Sequence, residues 1–312
     1  MAKKPFVTDP YLTGITLAFS NPSSALIADQ VLPRVPVDKE EFSYNTFPTE
    51  DAFTVPDTRV SRIGAVNEVE FGADRLTDQT ENYGLEDPVP QQDIDNAANT
   101  NYDPLGRSTE VLTDLILLDR EVRTASTVFN AANFAVGNKE TLVGNQQWSD
   151  SVNSTPVKDL EDAMDTMLLK SNLLVVGQAV WRVLSRHPEV VEAVFGSAST
   201  KGRVKPQDLA DVLGLQKVLV GEGWVNTARK GQAAVMARAW GKSAALLYIN
   251  PNADNNRGAT FGFTAQFGKR TAARYFDEKI GLDGGVRVRV GEKVKEKIIA
   301  PTLGYLFDAA IA

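Results

Sequence analysis

Cysteine is absent from all 312 residues, so disulfides, thiolate nucleophiles and cysteine-ligated metals are excluded. Histidine occurs once. That excludes a histidine-built metal cluster within one chain and leaves a single candidate base for a serine–histidine–aspartate arrangement. No stretch approaches the roughly eighteen consecutive apolar residues of a membrane span. The start, Met1-Ala-Lys-Lys-Pro-Phe6, has two positive charges with no apolar run behind them, so it is not a secretion signal. The expectation is a protein made and kept in the cytosol, or leaving it only by lysis, with no membrane partner. An excess of positive charge is also missing: 33 Lys and Arg against 40 Asp and Glu leave a net charge of −7, a poor balance for a sequence-specific nucleic-acid binder.

What is present is an ordinary globular composition, 43% hydrophobic and 23% charged, in a chain long enough for one large domain or two ordinary ones. The charge is unevenly spread. Between Lys39 and Asp103 there are fifteen acidic and four basic residues, a net of −11, whereas residues 1–38 are neutral and 104–312 carry +4. An acidic segment and a mildly basic body in one chain can attract each other between copies; a solvated acidic loop is the plain alternative.

Residues 1–38 read as an extended arm, because Pro5, Pro10, Pro22, Pro33 and Pro36 prevent a long helix; a short helix fits 23–31 after Asn21-Pro22. Such an arm buries too little to order itself. Residues 39–92 read as a β-excursion, Phe42, Tyr44 and Thr46 going out and Val66, Glu68, Val69 and Phe71 coming back, with no core of its own. Asp103-Pro104 opens the clearest helix, expected over 104–133. Val111, Leu115, Leu118, Val122, Ala125, Phe129 and Ala132 recur at spacings of 4 and 3 and are expected to form its buried face, widened by Leu112 and Ile116; Asp114, Asp119, Arg120, Arg123 and Thr127 are expected outside. Residues 150–265 read as a compact α/β unit with buried strands at 173–177, 217–220 and 244–249. The chain then returns to strand, Phe261, Phe263, Ala265 and Phe267 alternating, and Val286, Val288 and Val290 alternating with Arg287 and Arg289, half buried against the long helix. The stretch 301–312 is short and apolar.

Searching for chemistry gives little. Gly241-Lys242-Ser243 lacks the earlier glycine of a phosphate loop, since Met236 stands there, and Gly221-x-Gly223 is followed by Asn226 where a dinucleotide fold needs glycine. His187 precedes Pro188 at a helix boundary, where a surface or capping role is expected. The acidic pairs Glu40-Glu41 and Glu50-Asp51 suit a solvated loop better than a divalent ion. No catalytic constellation, cofactor or metal site emerges, so no enzyme is expected.

The order of elements, and the residues Asn21-Pro-Ser-Ser-Ala-Leu-Ile-Ala-Asp-Gln-Val-Leu-Pro33, Val35-Pro36-Val37, Glu41-Phe-Ser-Tyr44 through Thr58-Arg59, and the helix at 104–133, resemble the major capsid proteins of tailed bacteriophages. The resemblance implies an α+β fold of the Hong Kong 97-like type. It implies an N-terminal arm at 1–38, an E-loop over the neighbouring subunit at 39–92, a P-domain at 93–150 and 266–300, and an A-domain at 151–265 with its tail at 301–312. It implies a function, self-assembly of hexamers and pentamers into an icosahedral shell around double-stranded DNA in the host cytoplasm. The implied partners are a separate scaffolding protein, since the arm begins almost at Met1, a portal, a decoration protein and loosely held DNA. Phe19, Leu26, Phe47, Glu50, Asp51, Phe53, Val55, Arg59, Arg62, Arg120 and Arg123 are the expected intersubunit contacts. An encapsulin-like compartment shares this fold and is the alternative; a soluble α/β enzyme is a remote one.

Overall fold

The computed structural model describes residues 21–46, 53–69, 74–98, 102–196, 202–229, 231–250, 252 and 258–312. Phe19, Phe47, Glu50 and Asp51 lie outside them. In chain order the elements are helix α1 (Ala28–Val31), strands β1 (Arg34–Val37), β2 (Glu41–Thr46), β3 (Asp74–Gln79) and β4 (Glu81–Pro90), helices α2 (Gln91–Ala97) and α3 (Pro104–Val128), strand β5 (Lys139–Thr141), helix α4 (Pro156–Thr166), strand β6 (Leu173–Gly177), helices α5 (Gln178–Leu184), α6 (Pro188–Phe195) and α7 (Pro206–Leu213), and strands β7 (Lys217–Gly221), β8 (Trp224–Asn226), β9 (Met236–Arg238), β10 (Ala244–Leu247), β11 (Gly262–Phe267), β12 (Thr271–Asp277), β13 (Gly285–Ile298) and β14 (Gly304–Asp308). Among the described residues no helix is long and apolar enough to cross a membrane.

Two sheets organise the chain. The first runs β1-β11-β13-β12, with β4 also paired to β13; the second runs β5-β14-β10-β6-β7. Strand β13 follows its sequence period. Val288, Val290, Glu292 and Val294 are buried on one face, with Leu112 and Ile116 of α3 packed over the two valines. Arg287, Arg289, Lys293, Lys295 and Lys297 occupy the other face. In the second sheet all five residues of β6 are buried, with β7 parallel on one side and β10 antiparallel on the other. Helices α4 to α7 close its core around Leu160, Leu174, Leu184 and Leu209. Gly221 is required there, since a Cβ would sit 2.0 Å from the Trp240 ring.

Four expectations change. From residue 21 onward the arm is not free: Ile27, Val31 and Leu32 join a core with Ala125, Val128 and Trp240, and β1 runs parallel to β11. The return strand of the excursion is β3, pairing Glu41 with Gln79 through Thr46 with Asp74, while Val66 and Val69 are exposed outside any strand. Pairing with β2, not an apolar face, makes that strand. Residues 139–150 pack with the second sheet rather than the first: β5 pairs with β14, and Leu142 and Trp148 enter its core.

The fourth change concerns α3. It starts as expected, with Asp103 accepting from the Leu105 N–H at 3.0 Å, but it ends at Val128 and is about 37 Å long. Its buried ridge is Ser108, Leu112, Ile116, Arg120, Thr124 and Val128, joined by Glu121 and Ala125. A row of fourth residues drifts about 40° per step, so the buried face winds around the helix. Only part of the expected apolar face is buried: Leu112, Ile116 and Ala125 are, whereas Val111, Leu115 and Val122 are 44%, 47% and 37% exposed.

Candidate assembly surface

Residues 53–69 form a described stretch that is exposed throughout. Phe53, Val55, Val60, Ile63, Val66 and Val69 all face solvent, Val55 and Ile63 at 89% and 92%. Arg59 and Arg62 are exposed among them. Its bonds are local, such as the Arg59 N–H donating to Asp57 Oδ1 at 2.9 Å. Four of the expected contacts, Phe53, Val55, Arg59 and Arg62, therefore share one surface, with chemistry suited to being covered.

The base of this excursion is fastened to its own chain. The cationic face of β13 meets acids of the −11 segment: Lys293 pairs with Glu40, Lys295 with Glu81 and Lys297 with Asp78 at 2.7 Å. Arg287 and Arg289 share Glu86 at 3.0 and 2.7 Å. Part of the charge asymmetry that suggested attraction between copies is thus neutralised within one copy. The hydrogen bond from Lys295 holds Glu81 below its ordinary pKa. For Asp78 burial pushes up, but the hydrogen bond from Lys297 prevails and the net shift is down. Both lysines move up for the reciprocal reason.

A second cluster joins arm, helix and sheet. Arg34 contacts Asp29 at 2.7 Å and Glu292 at 2.9 Å; Arg270 reaches Glu292 at 3.2 Å and Arg123 reaches Glu296 at 3.4 Å. Arg120, expected outside, is 1% exposed. It pairs with Asp29 and donates to the Leu32 carbonyl at 3.2 Å and Thr264 Oγ1 at 3.1 Å. Burial, the largest influence, pulls its pKa down to about 10. Arg123 lies over the Tyr83 ring, 3.4 Å from its centroid. Both arginines are engaged within the chain. Leu26 is half-buried, its Cδ2 3.4 Å from where a Cβ on Gly223 would stand.

Glu121 is the residue that sequence reasoning passed over. It is fully buried and accepts from the Ile27 and Ala28 N–H groups at 2.8 Å each and from Trp240 Nε1 at 2.5 Å. The lysines of β13 were also passed over, although their period of two is visible in Lys293-Val-Lys-Glu-Lys297. His187 is not at the surface: it is buried, with Nε2 3.1 Å from Ser154 Oγ, and burial lowers its pKa. Among the described residues no group of three or more His, Asp or Glu could hold a metal ion.

No family model matches the chain. The major capsid protein of Pseudomonas phage JBD67 is 48% identical over 312 residues, covering all of both chains. Among solved structures, a phage-related protein of Bordetella bronchiseptica superposes with a TM-score of 0.71 at 22% identity, over 98% of this chain and 99% of that one. The capsid of cyanophage P-SCSP1u superposes with a TM-score of 0.61 at 10% identity, over 99% and 93%.

Proposed function

The chain belongs to the major capsid proteins of tailed bacteriophages, with the Hong Kong 97-like fold, and builds a capsid shell as a self-assembling structural subunit; from that premise we propose how its parts are used. The shell is icosahedral, made of hexamers and pentamers, and encloses double-stranded DNA that it touches without sequence preference. The projecting part of residues 39–92 lies over a neighbouring copy, its base staying on its own chain. Residues 93–138 and 266–300 form the peripheral unit, and 139–265 with 301–312 gather around the five- and six-fold axes. Assembly takes place in the host cytoplasm with a separate scaffolding protein, a portal and a decoration protein, and the chain performs no catalysis.

The observation that carries this reading is the exposed stretch 53–69. Burying a side chain such as Val55 or Ile63 against a neighbour contributes about 1.5–3 kcal/mol. A shell repeats that contribution at every subunit, so a segment that gains nothing in the isolated chain becomes a fastening in the assembly. Electron microscopy of the purified protein is the test: closed, head-sized shells are expected. Small uniform shells holding a host enzyme would favour the compartment alternative, and the absence of shells would contradict both. The double variant Arg59→Glu with Arg62→Glu should slow assembly, followed by light scattering; an unchanged rate would remove these two residues from the interface.

A further inference from the structure

The 4-3-4 spacing of Val111, Leu115, Leu118 and Val122 is that of a coiled-coil seam, and it runs about 17 Å along α3. The chain leaves it open, with Leu118 half-buried and the other three exposed. At 100° per residue, Glu110 and Asp114 fall along one flank and Asp119 along the other, and all three are exposed. Asp119 is held by Arg123 at 3.1 Å. Glu110 and Asp114 enter no ion pair among the described residues. Arg107, one turn before the seam, has its Nη1 buried. The seam is therefore apolar in the middle and acidic along the edge that carries Glu110 and Asp114, while Asp119 on the other edge is neutralised by Arg123.

That pattern selects an occupant. Packed antiparallel, the same helix of a second copy would set Glu110 and Asp114 against their own counterparts. Packed parallel, it would set them against Asp119 and Arg123, which already neutralise each other, so neither arrangement pairs the free acids. The other described helices of this chain do not fit: α1 carries Asp29, α2 carries Asp93 and Asp95, α4 carries Asp159, Glu161, Asp162 and Asp165 against Lys158, α6 carries Glu189 and Glu192, and α7 carries Asp208 and Asp211. Helix α5, which has Arg182 and no acid, buries its apolar residues Val180, Trp181 and Leu184 in its own core. We propose that this face of α3 is a docking site for an amphipathic helix of a separate protein, apolar at spacings of three and four and carrying lysine or arginine on the flank that meets Glu110 and Asp114. Complementary rim charges would set the partner's register and speed its approach, while the leucines and valines supply the area.

The test uses the full chain before assembly. Two fluorescein-labelled helical peptides of about twenty residues, leucine at the a and d positions, differ only in lysine or glutamate at the flanks. Fluorescence anisotropy should show the lysine peptide binding about tenfold or more tightly than the glutamate one. Leu115→Asp should abolish binding with the fold intact by circular dichroism, and Glu110→Lys with Asp114→Lys should reverse the preference. Equal affinity for both peptides, no binding of either, or indifference to Leu115→Asp would overturn the proposal. Because the chain has no cysteine, Leu115→Cys takes a photoreactive maleimide label at one place only. An adduct with the lysine peptide supports the assignment. An adduct with residues 53–69 of another copy, formed in closed shells whether or not the peptide is present, gives the seam to a second copy and overturns it, while leaving shell formation itself untouched.

Discussion

Trp240 Nε1 donates to Glu121 Oε1 at 2.5 Å, and both side chains are closed off from water. The same carboxylate receives the Ile27 and Ala28 N–H groups. One residue of the long helix thus ties the N-terminal segment to the second sheet, because Trp240 lies against Gly221 of β7. A buried carboxylate is tolerated when every donor it needs is in place, and the donors depend equally on it. Phe129 closes the site, edge-on to Trp240 at 5.2 Å.

Glu121→Gln would turn one acceptor into an N–H group facing a donor. Each buried group left unpaired costs about 1–3 kcal/mol, so a loss of about 3 kcal/mol or more in unfolding free energy is expected. Glu121→Ala should lose more, and Trp240→Phe, which removes a single donor, less. Denaturant unfolding of the unassembled protein measures all three. If Glu121→Gln matched the parent, the carboxylate would not be the tie.

The docked segment sets a truncation test. Removing residues 1–20 leaves Ile27, Val31, Leu32 and the Glu121 bonds in place, so soluble protein with an unchanged circular dichroism spectrum is expected. Removing 1–38 strips one core of Ile27, Val31 and Leu32 and another of Val35 and Val37, and leaves Glu121 without its two backbone donors. Leu or Ile lost from a core costs about 2–5 kcal/mol each, enough to unfold a marginal domain. Aggregation on expression is the expected outcome. A folded 1–38 truncation would show that the arm is held in the assembly and not in the chain.

Much of this architecture could be read in advance where burial and side-chain period agree. Val286 to Val290 alternate with arginine and do form a strand under α3; residues 173–177 do form a buried strand. The reading failed where burial is polar. Half of the ridge of α3 consists of Ser108, Arg120 and Thr124, and the first two meet partners that lie outside the helix, Asp87 for Ser108 at 2.7 Å and the Leu32 carbonyl for Arg120 at 3.2 Å. Hydropathy scores such positions as outside and hands the buried face to the wrong stripe. Glu121 and Trp240 are 119 residues apart, and no local pattern links them. Of the expected contacts, the exposed segment could be recognised because its apolar residues lack a core. Arg120 and Arg123 could not be placed, since a cation on a helix looks the same whether it meets solvent or an internal acid.

The lysine ladder of β13 predicts two limits in pH. Asp78 and Glu81 have pKa values below their ordinary 3.8 and 4.5, so their contribution is present above those values and is lost as the pH falls through the lowered ones. Lys295 and Lys297 lie above their ordinary 10.5, so their contribution is present below it and disappears as the pH rises through the raised values. The base of the excursion should therefore loosen below about pH 4 and above about pH 10.5, and hold between. Each partly exposed pair contributes only about 0–1 kcal/mol, so the effect is local. Amide exchange of β2 and β3 reports it. Protection that does not change at either limit would assign the hairpin's attachment to Phe42 and Tyr44 packing on Phe263 instead.

The last prediction is that shells of this protein hold together without covalent links through the 39–92 loop. Some relatives in this fold family join a loop lysine to an asparagine of a neighbour, a reaction that needs an unprotonated amine free to attack a side-chain amide. Between Lys39 and Lys139 the sequence has no lysine, so the projecting part of the loop carries only Arg59, Arg62 and Arg75 as cations. Arginine cannot replace it, because its guanidinium stays charged. Of the lysines around the loop base, Lys293, Lys295 and Lys297 are bound to Glu40, Glu81 and Asp78, while Lys39 is exposed at the very start of the loop, outside its projecting part. The upward shifts of Lys295 and Lys297 make them poorer nucleophiles at neutral pH. Mature particles boiled in detergent and reductant should therefore run as a single band near 33.9 kDa. A ladder of multimers surviving that treatment would show that a lysine outside the loop, or another chemistry, closes the shell.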